Sequence, residues 1–120
     1  DLQIFEIRGN VPTRLEKFAE SGLDAMILAF AGVRRLNFEA HIPQIIPFEI
    51  MLPAVGQGAM AVEIRESDSE LKEILQVFDD EETRLCATAE RAFLRTLEGG
   101  CQVPIGANAV LQKDEIHLEG

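Results

Sequence analysis

The feature that most constrains this chain is a break in its middle. Three of its five prolines, Pro43, Pro47 and Pro53, fall between residues 37 and 58, and Gly56-Gln57-Gly58 closes the stretch. Proline removes a backbone donor and fixes φ, while glycine releases φ, so no long helix or central strand runs through here. The sequence therefore reads as two patterned halves joined by an irregular connector, a candidate hinge between lobes.

In the first half, Gln3 to Ile7 alternates polar and apolar residues, the period of a half-buried strand. Arg8-Gly9-Asn10-Val11-Pro12 interrupts it. A helix is predicted next, capped by Thr13, with Leu15, Phe18 and Ala19 on one face and Ser21-Gly22 as its stop. Asp24 to Leu28 reads as a buried strand of the parallel type, and Ala29 to Leu36 as a short helix. This order of elements predicts an α/β layer with a right-handed crossover.

In the second half, Ala59 to Ile64 is a further strand. Ser67 with Glu70, and Asp79 with Glu82, have the spacing of helix starts. Leu71, Ile74, Leu75 and Phe78 line the first of these helices. Leu85, Ala89, Ala92, Phe93 and Leu97 line the second, which Gly99-Gly100 should stop. Val103 to Leu111 and Glu115 to Leu118 read as two strands turning at Gln112-Lys113-Asp114.

Composition narrows the partners. Hydrophobic residues form 47% of the 120, enough to build a core. With 11 basic and 21 acidic residues the net charge is −10, which disfavours nucleic acid and anionic membrane as main partners. No apolar run approaches the ~20 residues of a membrane span. The opening Asp1-Leu2-Gln3 has neither the basic start nor the apolar run of a secretory leader. Two cysteines without CxxC spacing are read as reduced thiols, and a cytoplasmic location is expected. His41 and His117 lack metal-ligand spacing, and no P-loop or dinucleotide fingerprint occurs, so no metal is expected.

Few residues could carry chemistry. Cys101 lies in the loop Gly99-Gly100-Cys101-Gln102-Val103-Pro104-Ile105-Gly106, where glycine and proline steer the backbone sharply. A buried free cysteine is the plain alternative. Its place after a helix C-terminus, near Glu98, disfavours a thiolate, so durable attachment to a strong electrophile suits it better than repeated turnover. Cys86, inside a helix, reads as packing. Arg8 at a strand end and Arg14 in the first turn of a helix have the placement of anion ligands, aided by the helix N–H groups. They read equally as surface charges balancing Glu6 and Glu16. Gln57, between Gly56 and Gly58, offers an amide to a flat ligand, or forms a mere turn.

Four segments in order resemble the porphobilinogen deaminase family. They are Arg8-Gly9-Asn10-Val11 through Thr13-Arg14-Leu15; Asp24-Ala25 through Leu28-Ala29 with Ala31-Gly32-Val33-Arg34-Arg35-Leu36; Leu52-Pro53-Ala54-Val55-Gly56-Gln57-Gly58-Ala59; and Glu90-Arg91-Ala92-Phe93 through the Cys101 loop to Gly106. The resemblance implies an α/β fold: a periplasmic-binding-protein-like lobe segment, then part of a small α/β (α+β) cofactor-bearing domain. It implies that residues 1–53 are the later part of a second lobe, 54–78 a hinge and return segment to a first lobe, and 79–120 the start of a third domain.

The same resemblance implies a transferase of tetrapyrrole biosynthesis. Four porphobilinogen units are joined with loss of ammonia to give hydroxymethylbilane, on a dipyrromethane cofactor held by Cys101 through a thioether. Arg8 and Arg14 would contact carboxylates of cofactor and substrate, and Gln57 and Gly58 would lie near the incoming pyrrole. The family's catalytic aspartate and a Ser-x-Arg-Arg stretch belong to the first lobe, ahead of these residues, so this chain alone is expected to be inactive. The complete enzyme is expected to be a monomer, and the isolated chain to self-associate. Two other readings compete: a non-catalytic module binding an anionic ligand, and a cysteine hydrolase pairing Cys101 with His41 or His117, for which no nucleophile signature is present.

Overall fold

The computed structural model describes residues 1–97 and 103–120. It divides into two compact units, Asp1–Ile45 and Ile46–Gly120. Its class is mixed, with helices and one small sheet, consistent with α/β.

The first unit is built on helix α1, Val11–Ser21, and the short helix α2, Phe30–Arg35. Asn10, rather than the expected Thr13, caps α1: its side chain accepts the Thr13 N–H at 3.0 Å. The helix starts earlier than predicted because Pro12, lacking an N–H, fits a first turn whose N–H groups have no helical partner. Gly22 ends it in the left-handed conformation, at φ 69°. In α2, Val33 is buried to 1% exposure, and its carbonyl accepts the N–H groups of Leu36 and Phe38. Arg34 and Arg35 occupy the last turn, where cations complement the helix dipole.

The second unit contains helix α3, Ser69–Leu75, helix α4, Glu81–Thr96, and strands β1, Asn108–Gln112, and β2, Glu115–Glu119. Both helix caps sit one residue later than predicted. Asp68, not Ser67, receives the Leu71 N–H, and Asp80, not Asp79, receives that of Thr83 at 2.8 Å. Hydrogen bonds from Thr83, its side chain first and its backbone second, hold the Asp80 carboxyl below its ordinary 3.8. β1 and β2 pair antiparallel in the register Asn108 with Glu119 to Gln112 with Glu115. Lys113, at φ 53°, makes the tight turn. α4 packs across both strands, and Ala107 and Ala109 are buried. The expected Gly99-Gly100 stop lies outside the described residues; α4 itself ends at Thr96.

The remaining strand predictions are corrected. Among the described residues, Gln3 to Ile7, Asp24 to Leu28, Ala59 to Ile64 and Val103 to Ala107 form no strand, and no parallel crossover exists. Their alternating or apolar patterns are real, but a strand exists only against a partner that takes its N–H and C=O groups. These segments find no such ladder among the described residues, and Ile4, Ile27 and Val62 are left exposed.

The connector is fastened where Leu52 to Gly58 meets the residues ahead of β1. Ala107 N–H donates to the Pro53 carbonyl at 3.0 Å, and Ala54 and Gly106 form an isolated antiparallel bridge. A Cβ on Gly106 would lie 2.9 Å from Leu52 Cβ and 3.1 Å from the Pro53 oxygen. Backbone crowds it, so the neighbours have little room to yield. Gly106→Ala should cost about 1–3 kcal/mol, read as a lower denaturant midpoint for loss of helicity. An unchanged midpoint would mean that the connector does not seat there.

Candidate functional site

Of the residues singled out by sequence, those that the structure describes fall in two clusters, one in each unit. In the first, Arg8, Gly9 and Asn10 form the turn into α1. Gly9 adopts φ 134°, and a Cβ there would meet Thr13 Cγ2 at 3.0 Å, so the tight entry requires glycine. Arg14 Nε donates to the Gly9 carbonyl at 2.7 Å, and Lys17 Nζ donates to the Arg8 carbonyl at 2.8 Å. The turn is therefore ringed by Arg8, Arg14 and Lys17.

Arg8 pairs with Glu6 at 2.8 Å, as the surface-charge reading supposed. That pair is fully solvated, with side chains 85% and 79% exposed, and such pairs are worth at most about 1 kcal/mol. A ligand carboxylate can exchange for Glu6 at little cost. For Arg14, the described residues include no carboxylate partner. Its backbone N–H, expected to help hold an anion, is instead committed to the helix through the Asn10 carbonyl at 2.9 Å. Lys17 was missed by sequence reasoning. Its signal was available: it lies three residues after Arg14, on the same helix face.

In the second cluster, Gly56-Gln57-Gly58 forms a turn with φ 70° at Gly56 and 90° at Gly58. The Gln57 N–H returns to the Ala54 carbonyl, and its side chain stays exposed. Gln57 and Gly58 join Asp80, Cys86, Glu90 and Asn108 around an open recess of about 390 Å³. Cys86, half-buried on α4, is a free thiol. Cys101 lies outside the described residues.

Glu90 is the second residue that sequence reasoning did not single out for a role. It is 8% exposed, and its two carboxylate oxygens accept the Gly56 N–H at 2.7 Å and the Ala109 N–H at 2.8 Å. One side chain thus links α4, the Gln57 turn and β1. Its place one turn after Cys86 on the helix was the available sign that it faces inward.

No group of three or more metal-binding side chains occurs among the described residues, and no described helix is long and apolar enough to cross a membrane.

Two family models match in order along the chain. The porphobilinogen deaminase, dipyromethane cofactor binding domain matches residues 1–73, and the porphobilinogen deaminase, C-terminal domain matches residues 84–120. The chain belongs to the porphobilinogen deaminase family. Porphobilinogen deaminases from Chloroherpeton thalassium and Brevibacillus brevis are 52% and 55% identical to it, over 98% and 100% of this chain. That of Pelotomaculum thermopropionicum is 52% identical over 100%. The chain spans 38%, 39% and 38% of the length of these three porphobilinogen deaminases. They give no support to a binding-only module.

Proposed function

We propose that this chain is the part of a porphobilinogen deaminase that carries the cofactor cysteine. In this reading the complete enzyme is a cytoplasmic transferase of tetrapyrrole biosynthesis, joining four porphobilinogen units to hydroxymethylbilane with release of ammonia. The observation that carries it is identity of 52–55% to curated porphobilinogen deaminases over essentially the whole chain. Residues 1–53 then belong to the second, periplasmic-binding-like lobe. Residues 54–78 are a hinge and return segment, fastened at its start, and 79–120 open the third domain.

The described residues fit a cofactor rich in carboxylates. Arg8, Arg14 and Lys17 gather cations around one turn in a chain of net charge −10, and Arg8 is held only by a solvent-exposed partner. We assign Cys101 as the covalent attachment point of dipyrromethane, which supplies the pyrrole end onto which substrate is added. Arg8 and Arg14 hold carboxylates of cofactor and substrate through their planar forks. Gln57 and Gly58 border the position of the incoming porphobilinogen, with the Gln57 amide as hydrogen-bonding group. The catalytic carboxylate comes from another part of the enzyme.

Kinetics on Arg8→Lys and Arg14→Lys in the complete enzyme test this reading. Lysine keeps the charge but loses the two parallel donors. A charge-assisted contact is worth roughly 1.5–3 kcal/mol, so kcat/KM for porphobilinogen should fall about tenfold or more. Unchanged kinetics in both variants would return these arginines to the status of surface charges.

A further inference from the structure

We propose that Glu90 is a positioning residue: its buried carboxylate holds the Gly56-Gln57-Gly58 turn in place and so sets where Gln57 meets the substrate. The inference rests on the porphobilinogen deaminase reading for the role of Gln57, and on the geometry of this chain for the bridge.

A carboxylate in mid-helix ordinarily faces water, because burying it without compensation is costly. Glu90 is buried and compensated in a particular way: both partners are backbone N–H groups, from residues 34 before it and 19 after it. Packing of α4 on β1 alone would be served as well by an apolar residue of similar size, since buried charges are poor stabilisers. What an apolar residue cannot do is bind two backbone donors from two different segments at once.

The turn needs that hold. Both of its glycines have positive φ, and a Cβ on Gly56 would meet nothing within 4 Å, so side-chain packing does not clamp it. On its N-terminal side it is tied through Pro53 and Ala54. On its C-terminal side, Ala59 to Ile64 has no ladder partner among the described residues. The Gln57 and Ala59 N–H groups return to the Ala54 and Gly56 carbonyls within the turn itself, so the Gly56 N–H to Glu90 bond is what ties the turn to α4. Glutamine cannot replace Glu90, because it offers one acceptor oxygen and would turn an NH2 donor towards the second N–H. Aspartate keeps the charge but is one methylene shorter, and so reaches only one of the two donors.

The test uses the complete enzyme in two arms. In the first, hydrogen exchange followed by mass spectrometry should show faster exchange in the peptide containing Gly56 for Glu90→Gln. In the second, KM for porphobilinogen should rise about tenfold with kcat changed less than about twofold, as expected for one lost charge-assisted bond. Covalent pyrrole content should be unchanged. Gln57→Ala should give a similar KM, and the double variant should be no worse than either single one, the non-additivity of residues acting as a unit. Should Glu90→Gln not fold, Glu90→Asp carries the same comparison with a smaller KM increase. Unchanged exchange at Gly56 overturns the bridge. Faster exchange with unchanged KM overturns the positioning role. A wild-type enzyme that does not consume porphobilinogen overturns the deaminase reading and the substrate role of Gln57 with it, while the exchange arm still decides the bridge.

Discussion

In the complete deaminase, Cys101→Ser should remove the covalently held pyrrole entirely, whereas Cys86→Ser should leave it in place. The expected effect is all or none, because a thioether needs sulfur and a serine hydroxyl is a far weaker nucleophile at neutral pH. The two cysteines differ in setting. Cys86 lies on α4, held in a regular helix and half-buried. Cys101 follows a Gly-Gly pair, between the end of α4 and the point where Gly106 closes on Leu52 and Pro53. Ehrlich staining of the denatured proteins and their intact masses read the result directly. A normal pyrrole colour and adduct mass in the Cys101 variant would end the assignment.

The second large effect concerns the chain by itself, which should self-associate and fail to consume porphobilinogen. Its accessible surface is 10387 Å². Two well-packed folded bodies of the size of its two units would together expose only roughly 7,700 Å², even without touching. Much of the excess is apolar: Leu2, Ile4, Met60, Val77 and Phe78 are all more than 75% exposed. The buried apolar side chains among the described residues are Val33, Ala107 and Ala109. So small a core offsets little conformational entropy, and apolar patches with unpaired backbone invite strand addition from other copies. Light scattering across concentrations reports assembly, and porphobilinogen consumption reports activity. A strictly monomeric chain with substantial turnover would contradict both expectations.

What could be read from sequence follows from the range of the forces involved. α1, α4 and the β1–β2 hairpin were legible because their signals are local: a 3.6-residue period, a stop at Gly22, and a polar turn at Lys113-Asp114 between apolar runs. Helix starts were displaced by one to three residues because several capping side chains stand side by side, as in Ser67-Asp68 and Asp79-Asp80, and only backbone geometry chooses between them. The strands at Gln3 to Ile7, Asp24 to Leu28 and Ala59 to Ile64 failed for the opposite reason, since pairing is a long-range property that an alternating pattern does not guarantee. Arg8, Arg14 and Gln57 were singled out by residue type, position and the family resemblance, and their roles remain part of the proposal. Glu90 was legible only as an inward-facing position, one turn after Cys86; its partners are backbone amides, which every residue carries and no motif marks.

The fastening of the connector bears on how a growing ligand could be accommodated. Pro53, Ala54 and Gly56 are bonded to Ala107, Gly106 and Glu90 within one unit. In the proposed enzyme, Gln57, α4 and the hairpin would then move as a single body. Under the proposed function, the span from Gln57 to the foot of β1 would stay constant as pyrroles are added. That piece would serve as a ruler, and room for each added ring would have to open elsewhere.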